Sequence, residues 1–456
     1  MRFATVPDHL PAGQPRQRGT SAVSTSLNRP SPAPPASTAS GTEGSAGPLP
    51  ERSGRSFEPA VDGLRAIATL MVVTAHLAQW TGALIDKSGR PGPLAPVLSG
   101  FVVAIPIFLI ISGYLLYRPW ADAALGGGRP PRTLPYYWHR VLRIFPAYWL
   151  FMVTALLVFD RERLDDGWRI LRLLTVQHVQ HWADLRSDPG ATNWAQTWSL
   201  ATEVHYYIAL PVVAYVLHRL LRAAKGIAPA VALLGGVVVA DFTWLVATSP
   251  SSPLAPPSLW WLRGYLGFLA TGMLLAVLAT RSRTGRRPAI VDLVGRHPWW
   301  CWGAALVAFA VSNTPAVGSI ASAVLTKEEA ALKYACQLVV AAGLAAPVVL
   351  ARGGGPERLL ARPVPVWLGR NSCGTFLWHL VVMQVTVWYL FDSDWAQLGT
   401  GAFFALLPFV MGLSVLAGWL SYTFVEAPLL RRFRIRSHRP APEPEAEPER
   451  AVKVPV

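Results

Sequence analysis

Arg65 and His76 stand eleven positions apart in an apolar stretch, Val61-Asp-Gly-Leu-Arg-Ala-Ile-Ala-Thr-Leu-Met-Val-Val-Thr-Ala-His76, whose only other ionisable residue is Asp62. If the stretch is helical, each residue turns about 100° and His76 returns to within roughly 20° of the face of Arg65. Asp62, Thr69 and Gln79 fall on the same stripe. Polar groups in a bilayer span are costly and normally face the bundle interior or a wet cavity. A carboxylate, a guanidinium and an imidazole in one row could orient an anionic substrate, stabilise developing negative charge and move a proton. The plainer alternative has Asp62 and Arg65 anchoring a helix end and His76 as a hydrogen-bonded core histidine.

Four further groups offer chemistry. Arg140 and Arg143, spaced i, i+3, share a helix face and could grip phosphate with their fixed forks, although the same pair could serve only to anchor a cytoplasmic helix end. Trp198-Ser-Leu-Ala-Thr-Glu203-Val-His-Tyr-Tyr207 places Glu203 and Tyr207 on one face; a carboxylate buried without a cation is a plausible proton carrier. Ser372, Thr375 and His379 share a face of a later apolar segment, and Glu426 stands at the end of the last one, near the inner surface, where Arg65 could be its partner. His178, His181 and Asp184 resemble a metal cluster, but polar loops often hold such sets, and no metal is expected. No Gly-x-Ser-x-Gly, Walker A or His-Glu-x-x-His motif is present.

The elements that must carry these residues are membrane spans. Of 456 residues, 52% are hydrophobic, 15% are charged and 19 are Trp, the profile of a polytopic membrane protein. Ten apolar runs approach the roughly 20 residues a helix needs to cross a bilayer. They lie near 61–80, 99–117, 143–159, 203–221, 228–248, 260–280, 299–315, 330–350, 373–391 and 402–424. The expected fold is therefore all-α, a polytopic transmembrane helix bundle.

A net charge of +15 would point to nucleic acid in a soluble chain; here the cations alternate by loop. One set of loops holds Arg118, Arg129, Arg132 and Arg140, then Arg219, Arg222 and Lys225, then Arg281 to Arg296, then Arg352 to Arg370; the other set is mixed or uncharged, with Asp86, Lys87 and Arg90, the stretch Asp160 to Asp188, 249–258, Lys327 to Glu329, Asp392 and Asp394. The bias puts both termini in the cytoplasm and makes nucleic acid an unsuitable partner. On this orientation Arg65 lies one turn in from the cytoplasmic face and His76 about 16 Å further across. Glu203, opening the fourth run at its outer end, is expected at a similar depth to His76. Residues 1–56 and 436–456 are rich in Pro, Ser, Gly, Ala or Glu and read as disordered cytoplasmic tails, with 57–435 as the membrane domain and no cleavable signal peptide. Cys301, Cys336 and Cys373 form no Cys-x-x-Cys, so neither a disulfide framework nor a zinc site is expected.

The order of these motifs carries a resemblance. Arg65 and His76, Phe108-Leu-Ile-Ile-Ser-Gly-Tyr, Arg140-x-x-Arg143, Trp198-Ser-Leu-x-x-Glu203, Leu-Trp-His379 and Glu426-x-Pro428 follow the sequence seen in the integral-membrane acyltransferases called acyltransferase family 3. The chain resembles that family over about residues 57 to 435, with Cys373 where the family usually has Tyr. The resemblance implies a multi-pass enzyme of the cell membrane that moves an acyl group, commonly acetyl, from cytoplasmic acyl-CoA to a hydroxyl of a surface polysaccharide, peptidoglycan or a secondary metabolite. It places Arg65, His76, Arg140, Arg143 and Glu203 in the transfer site. Read residue by residue, Arg140 and Arg143 would hold the donor's phosphates, His76 would deprotonate the acceptor or carry the acyl group, Arg65 would orient the donor or stabilise charge, and Glu203 would set the protonation of the imidazole. Some members have a fused extracytoplasmic hydrolase-like domain; none is read in this sequence, which makes an extracytoplasmic partner enzyme conceivable. A proton-coupled exporter, with His76 and Glu203 as a proton relay, is the rival reading.

Overall fold

The structure is a computed structural model and describes residues 58–86, 88–178, 194–224, 226–248, 264–285, 287–319, 325–391 and 398–433. The tails expected at 1–56 and 436–456, the loop at 249–258, and His181, Asp184, Asp188, Lys87, Lys225, Arg286, Asp392 and Asp394 lie outside the described residues.

Every apolar run carries a helix: α1 Pro59–Trp80, α2 Ala104–Leu125, α3 Thr133–Phe159, α4 Thr197–Ala223, α5 Ala228–Ala247, α6 Leu266–Thr284, α7 Pro298–Val311, α8 Lys327–Leu350, α9 Ser372–Phe391 and α10 Gly399–Ser421. Among the described residues there is no strand beyond an isolated bridge, Ile85 with Pro91. Seven helices are long and apolar enough to cross a membrane, so the chain is a polytopic membrane helix bundle. Two of the remaining three fall short for visible reasons: α7 has 14 residues, and α6 ends in Arg281 and Arg283.

Helix starts follow local chemistry. Pro59 and Pro298 open α1 and α7, positions where the missing N–H is harmless. Thr326 caps α8 in a reciprocal box, its Oγ1 accepting from Glu329 N at 3.2 Å while Glu329 Oε2 accepts from Thr326 N at 2.8 Å.

α1 sits among α2, α8, α9 and α10, with the short helices Gly355–Leu360 and Pro363–Arg370 closed over its first turns. α2 crosses α6 with the two backbones in direct contact. A Cβ on Gly113 would fall onto Leu269 O, and one on Gly272 onto Ile110 O, so two backbones touch with nothing between them, as small residues allow in membranes. At the end assigned to the cytoplasm, buried Arg118 pairs with Glu58, which also accepts from Tyr114 Oη at 3.0 Å. Asp122 accepts from Thr280 Oγ1 at 2.7 Å and from Arg283 at 2.6 Å. These bonds tie the ends of α1, α2 and α6 together and absorb part of the cationic excess.

One proline inside a helix is satisfied from its neighbour. Pro211 inside α4 lacks an N–H, so the carbonyl of Tyr207 has no helical donor; Tyr136 Oη on α3 donates to it at 3.1 Å, and Tyr137 Oη donates to Ile208 O at 2.8 Å. The two tyrosines fix α3 against α4 one turn before Arg140. Past α10 the chain makes one π-helical turn, Tyr422–Glu426, before the last helix Ala427–Arg432.

The orientation itself rests on the charge alternation. Reporters fused after Gly285 and at position 440 are expected to behave as cytosolic, and an outward-facing reporter at either place overturns the assignment of sides.

Candidate active site

α1 presents its polar stripe to the interior for most of its length. Asp62, Arg65 and His76 are half-buried and Thr69 is buried, whereas Gln79 is exposed and leaves the stripe. Thr69 turns back on its own helix, its Oγ1 donating to Arg65 O at 2.9 Å. Arg65 and His76 are enclosed by protein yet keep accessible surface, the condition of side chains lining an internal cleft.

Five helices converge on Arg65. Arg143 from α3, Glu203 from α4 and Cys373 from α9 all act on its guanidinium, as does Asp62 one turn back. Glu426, placed by the π-helical turn after α10, is 4% exposed and is acted on by both Arg143 and Arg65. A π-turn carries an extra residue per turn and is a frequent feature of functional sites. Asp62 has a third cation, with Arg370 Nε at 4.0 Å. Despite these neighbours, neither Arg65 nor Arg143 makes a side-chain hydrogen bond or ion pair among the described residues, and Glu426 Oε1 has no hydrogen-bond partner.

Glu203 stands in this arginine cluster. Ser112 Oγ donates to it, and so does Tyr207 Oη one turn further along α4; the Tyr207 ring lies 5.8 Å from the Arg140 guanidinium carbon. The expectation that Glu203 shares the depth of His76 and sets its protonation is therefore corrected. α4 begins at Thr197, so Glu203 is nearly two turns, about 9 Å, inside it. The polar start Gln196-Thr197 precedes the apolar run at 203–221, yet Gln196 is 2% exposed and donates through Nε2 to Leu377 O at 2.8 Å. Ser112, whose role the sequence did not reveal beyond its place in a motif, is the residue that anchors Glu203.

His76 meets another histidine. His379 Nε2 lies 3.1 Å from His76 Nδ1, the ring centroids are 5.0 Å apart, and His379 is fully buried. The partners stand 303 residues apart, and nothing in the spacing of either helix announced the pairing. Of the other residues on the expected face of α9, Thr375 Oγ1 donates to Asn371 O at 3.0 Å, and Ser372 Oγ is buried with no hydrogen-bond partner among the described residues.

The site thus has two centres on one helix. Arg65 with Arg143, Arg140 and the carboxylates forms a charged end rich in arginine, and the His76–His379 pair lies about 16 Å along α1 from it. That length exceeds any side-chain reach, so Arg65 belongs with the arginines rather than with the imidazole. Among the described residues no three His, Cys, Asp or Glu side chains are grouped to hold a metal. His178 makes a hydrogen-bond contact with Thr197 Oγ1 at 3.0 Å.

The membrane bundle thus holds a half-buried arginine cluster at one end of α1 and a paired imidazole further along it. Residues 58–421 match the family profile described as an acyltransferase domain, and the chain belongs to that family, acyltransferase family 3. It is 26% identical over 406 residues, 85% of this chain and 95% of the relative, to "Acyltransferase MdmB" of Streptomyces mycarofaciens. It is 25% identical over 404 residues, 84% of this chain and 56% of the relative, to "Putative peptidoglycan O-acetyltransferase YrhL" of Bacillus subtilis. A 179-residue stretch, 36% of this chain and 26% of the relative, is 27% identical to "O-acetyltransferase OatA" of Staphylococcus aureus. No solved structure gives a significant match. Family membership supports an O-acyltransferase in a membrane.

Proposed function

We propose that the chain is an acyl-CoA-dependent O-acyltransferase of the cell membrane that transfers an acyl group, acetyl first among candidates, to a hydroxyl of a surface polysaccharide, peptidoglycan or a secondary metabolite. The observation that carries this reading is the meeting of Arg65 and Arg143 without an ion-pair partner among the described residues. Like charges gathered inside a membrane protein are expensive, and a di- or triphosphate-like anion offsets that cost, especially for guanidinium forks. Arg140 and Arg143 would take the donor phosphates and Arg65 would hold the donor beyond them. The arm bearing the thioester would lie along α1 towards His76. The carboxylates Asp62, Glu203 and Glu426 would keep the cluster from binding its anion too tightly to release it.

At the other centre His76 Nε2 would take the proton of the acceptor hydroxyl as the oxygen attacks the thioester carbonyl. Collapse of the tetrahedral intermediate breaks the carbon–sulfur bond, and the thiolate recovers that proton from His76. The acceptor ester and free CoA are the products. The exporter reading needs His76 and Glu203 in one relay; the bonding of Glu203 to Ser112 and Tyr207, and of His76 to His379, speaks against it.

Changing Arg140 and Arg143 together to Lys keeps the charge and removes the forks. The double variant is expected to raise the apparent KM for acetyl-CoA by roughly tenfold or more, with normal insertion into the membrane. Unchanged donor kinetics would reduce these residues to anchors of the helix end.

A further inference from the structure

The histidine pair has one consistent arrangement of hydrogens. His379 Nδ1 lies 2.6 Å from Phe376 O, and His76 Nδ1 lies 3.1 Å from Val72 O. A carbonyl oxygen only accepts, and a neutral imidazole has one N–H. His379 therefore donates from Nδ1 to Phe376 O, which leaves its Nε2 as an acceptor. The atom facing that Nε2 at 3.1 Å is His76 Nδ1, so the hydrogen between the rings belongs to His76, shared between Val72 O and His379 Nε2. Reversing either ring would set lone pair against lone pair or deprive a carbonyl of its donor. The remaining nitrogen, His76 Nε2, carries the lone pair. It has no hydrogen-bond partner among the described residues and keeps accessible surface.

We infer that His379 is a positioning residue: by accepting the Nδ1 hydrogen of His76, it holds that ring in the tautomer and orientation that present a basic Nε2 to the acceptor hydroxyl. The inference rests on the reading of His76 as base or acyl carrier, since both roles need Nε2 unprotonated. Val72 O alone would favour the same tautomer, but it belongs to the helix of His76 and leaves the ring free to rotate away. A second acceptor on α9, itself fixed by Phe376 O and fully buried, removes that freedom. The pairing is also why the position needs an acceptor rather than mere bulk.

The test combines a spectroscopic signature with turnover. In the full chain labelled with ¹⁵N-histidine, His76 is expected to show a protonated Nδ1 and an unprotonated Nε2, assigned by loss of its signals in His76→Gln. His379→Leu, which keeps volume and removes the acceptor, should give a mixture of tautomers. His379→Gln, whose amide oxygen reaches the place of Nε2, should restore the single one. Free CoA released from acetyl-CoA, in membranes of the host strain that supply the acceptor, should fall roughly ten- to a hundredfold in kcat for His379→Leu, a part of the 10²–10⁴ that acid–base help supplies. The KM for acetyl-CoA should stay constant, and His379→Gln should recover to within a few-fold. A wild-type His76 protonated on Nε2 overturns the inference, as does wild-type turnover in His379→Leu or an equal loss per folded molecule in both variants. If His379→Leu does not fold, the wild-type tautomer and the Gln variant decide. Full activity in His76→Gln would instead overturn the underlying role of His76, whatever His379 does.

Discussion

His76→Gln is expected to lose at least roughly a hundredfold in acyl transfer per folded molecule, because general acid–base catalysis is typically worth about 10²–10⁴-fold and an amide has no titratable nitrogen. Glutamine keeps a hydrogen-bonding group of similar reach, so the bundle should still assemble, and the arginine end, about 16 Å away along α1, should still bind the donor. The measurement is turnover normalised to folded protein, alongside acetyl-CoA binding. A histidine that only fills the core gives the opposite pattern, with less protein in the membrane and normal turnover for each molecule that folds. Activity within a few-fold of wild type would remove His76 from the chemistry.

The second large effect concerns assembly. Gly272→Val should prevent α6 from closing on α2, since its new Cβ would overlap Ile110 O, and the opposing Gly113 has already given up its own side chain. Overpacking in a core typically costs about 1–3 kcal/mol. Here the obstacle is a backbone carbonyl that cannot rotate aside, which puts the cost at the upper end of that range or beyond. A sharp drop in protein recovered from membranes and in its thermal midpoint is expected, and Gly113→Val should behave alike. Normal yield and midpoint in Gly272→Val would mean that this crossing is looser than its geometry.

The distance between the two centres was legible in the sequence because both lie on one helix. The turn of 100° per residue and the rise of 1.5 Å relate Arg65 to His76 whatever surrounds them. Contacts between helices were not. The approach of His379 to His76 depends on the tilt and rotation of α9 against α1, which the apolar period does not encode. Arg143 could be placed at the arginine end only through loop charge, and its neighbourhood with Arg65 and Glu426 appears only once five helices are assembled. The depth of Glu203 was not legible for a local reason: the helix start ahead of it is polar. Thr197 is fully buried and its Oγ1 donates to Trp194 O at 2.7 Å, so these polar residues are satisfied inside the bundle and cost little there.

The π-helical turn Tyr422–Glu426 bears on how this chain is aligned and engineered. Such a turn holds one residue more than the α-helix around it, so it is a natural place for a single-residue gap against a relative whose last helix runs straight. A gap set a few residues to either side would shift Glu426 out of register with its counterpart while leaving the apolar pattern of α10 looking well matched. Trimming one residue from the turn would likewise not shorten the helix harmlessly. The turn would revert to α geometry, so Pro428, Arg431 and Arg432 would keep their bearing while Glu426 lost the local widening that aims it inward. A partner protein fused beyond Phe433 would keep its direction, so the insertion governs the inward aim of one carboxylate and not the bearing of a C-terminal attachment.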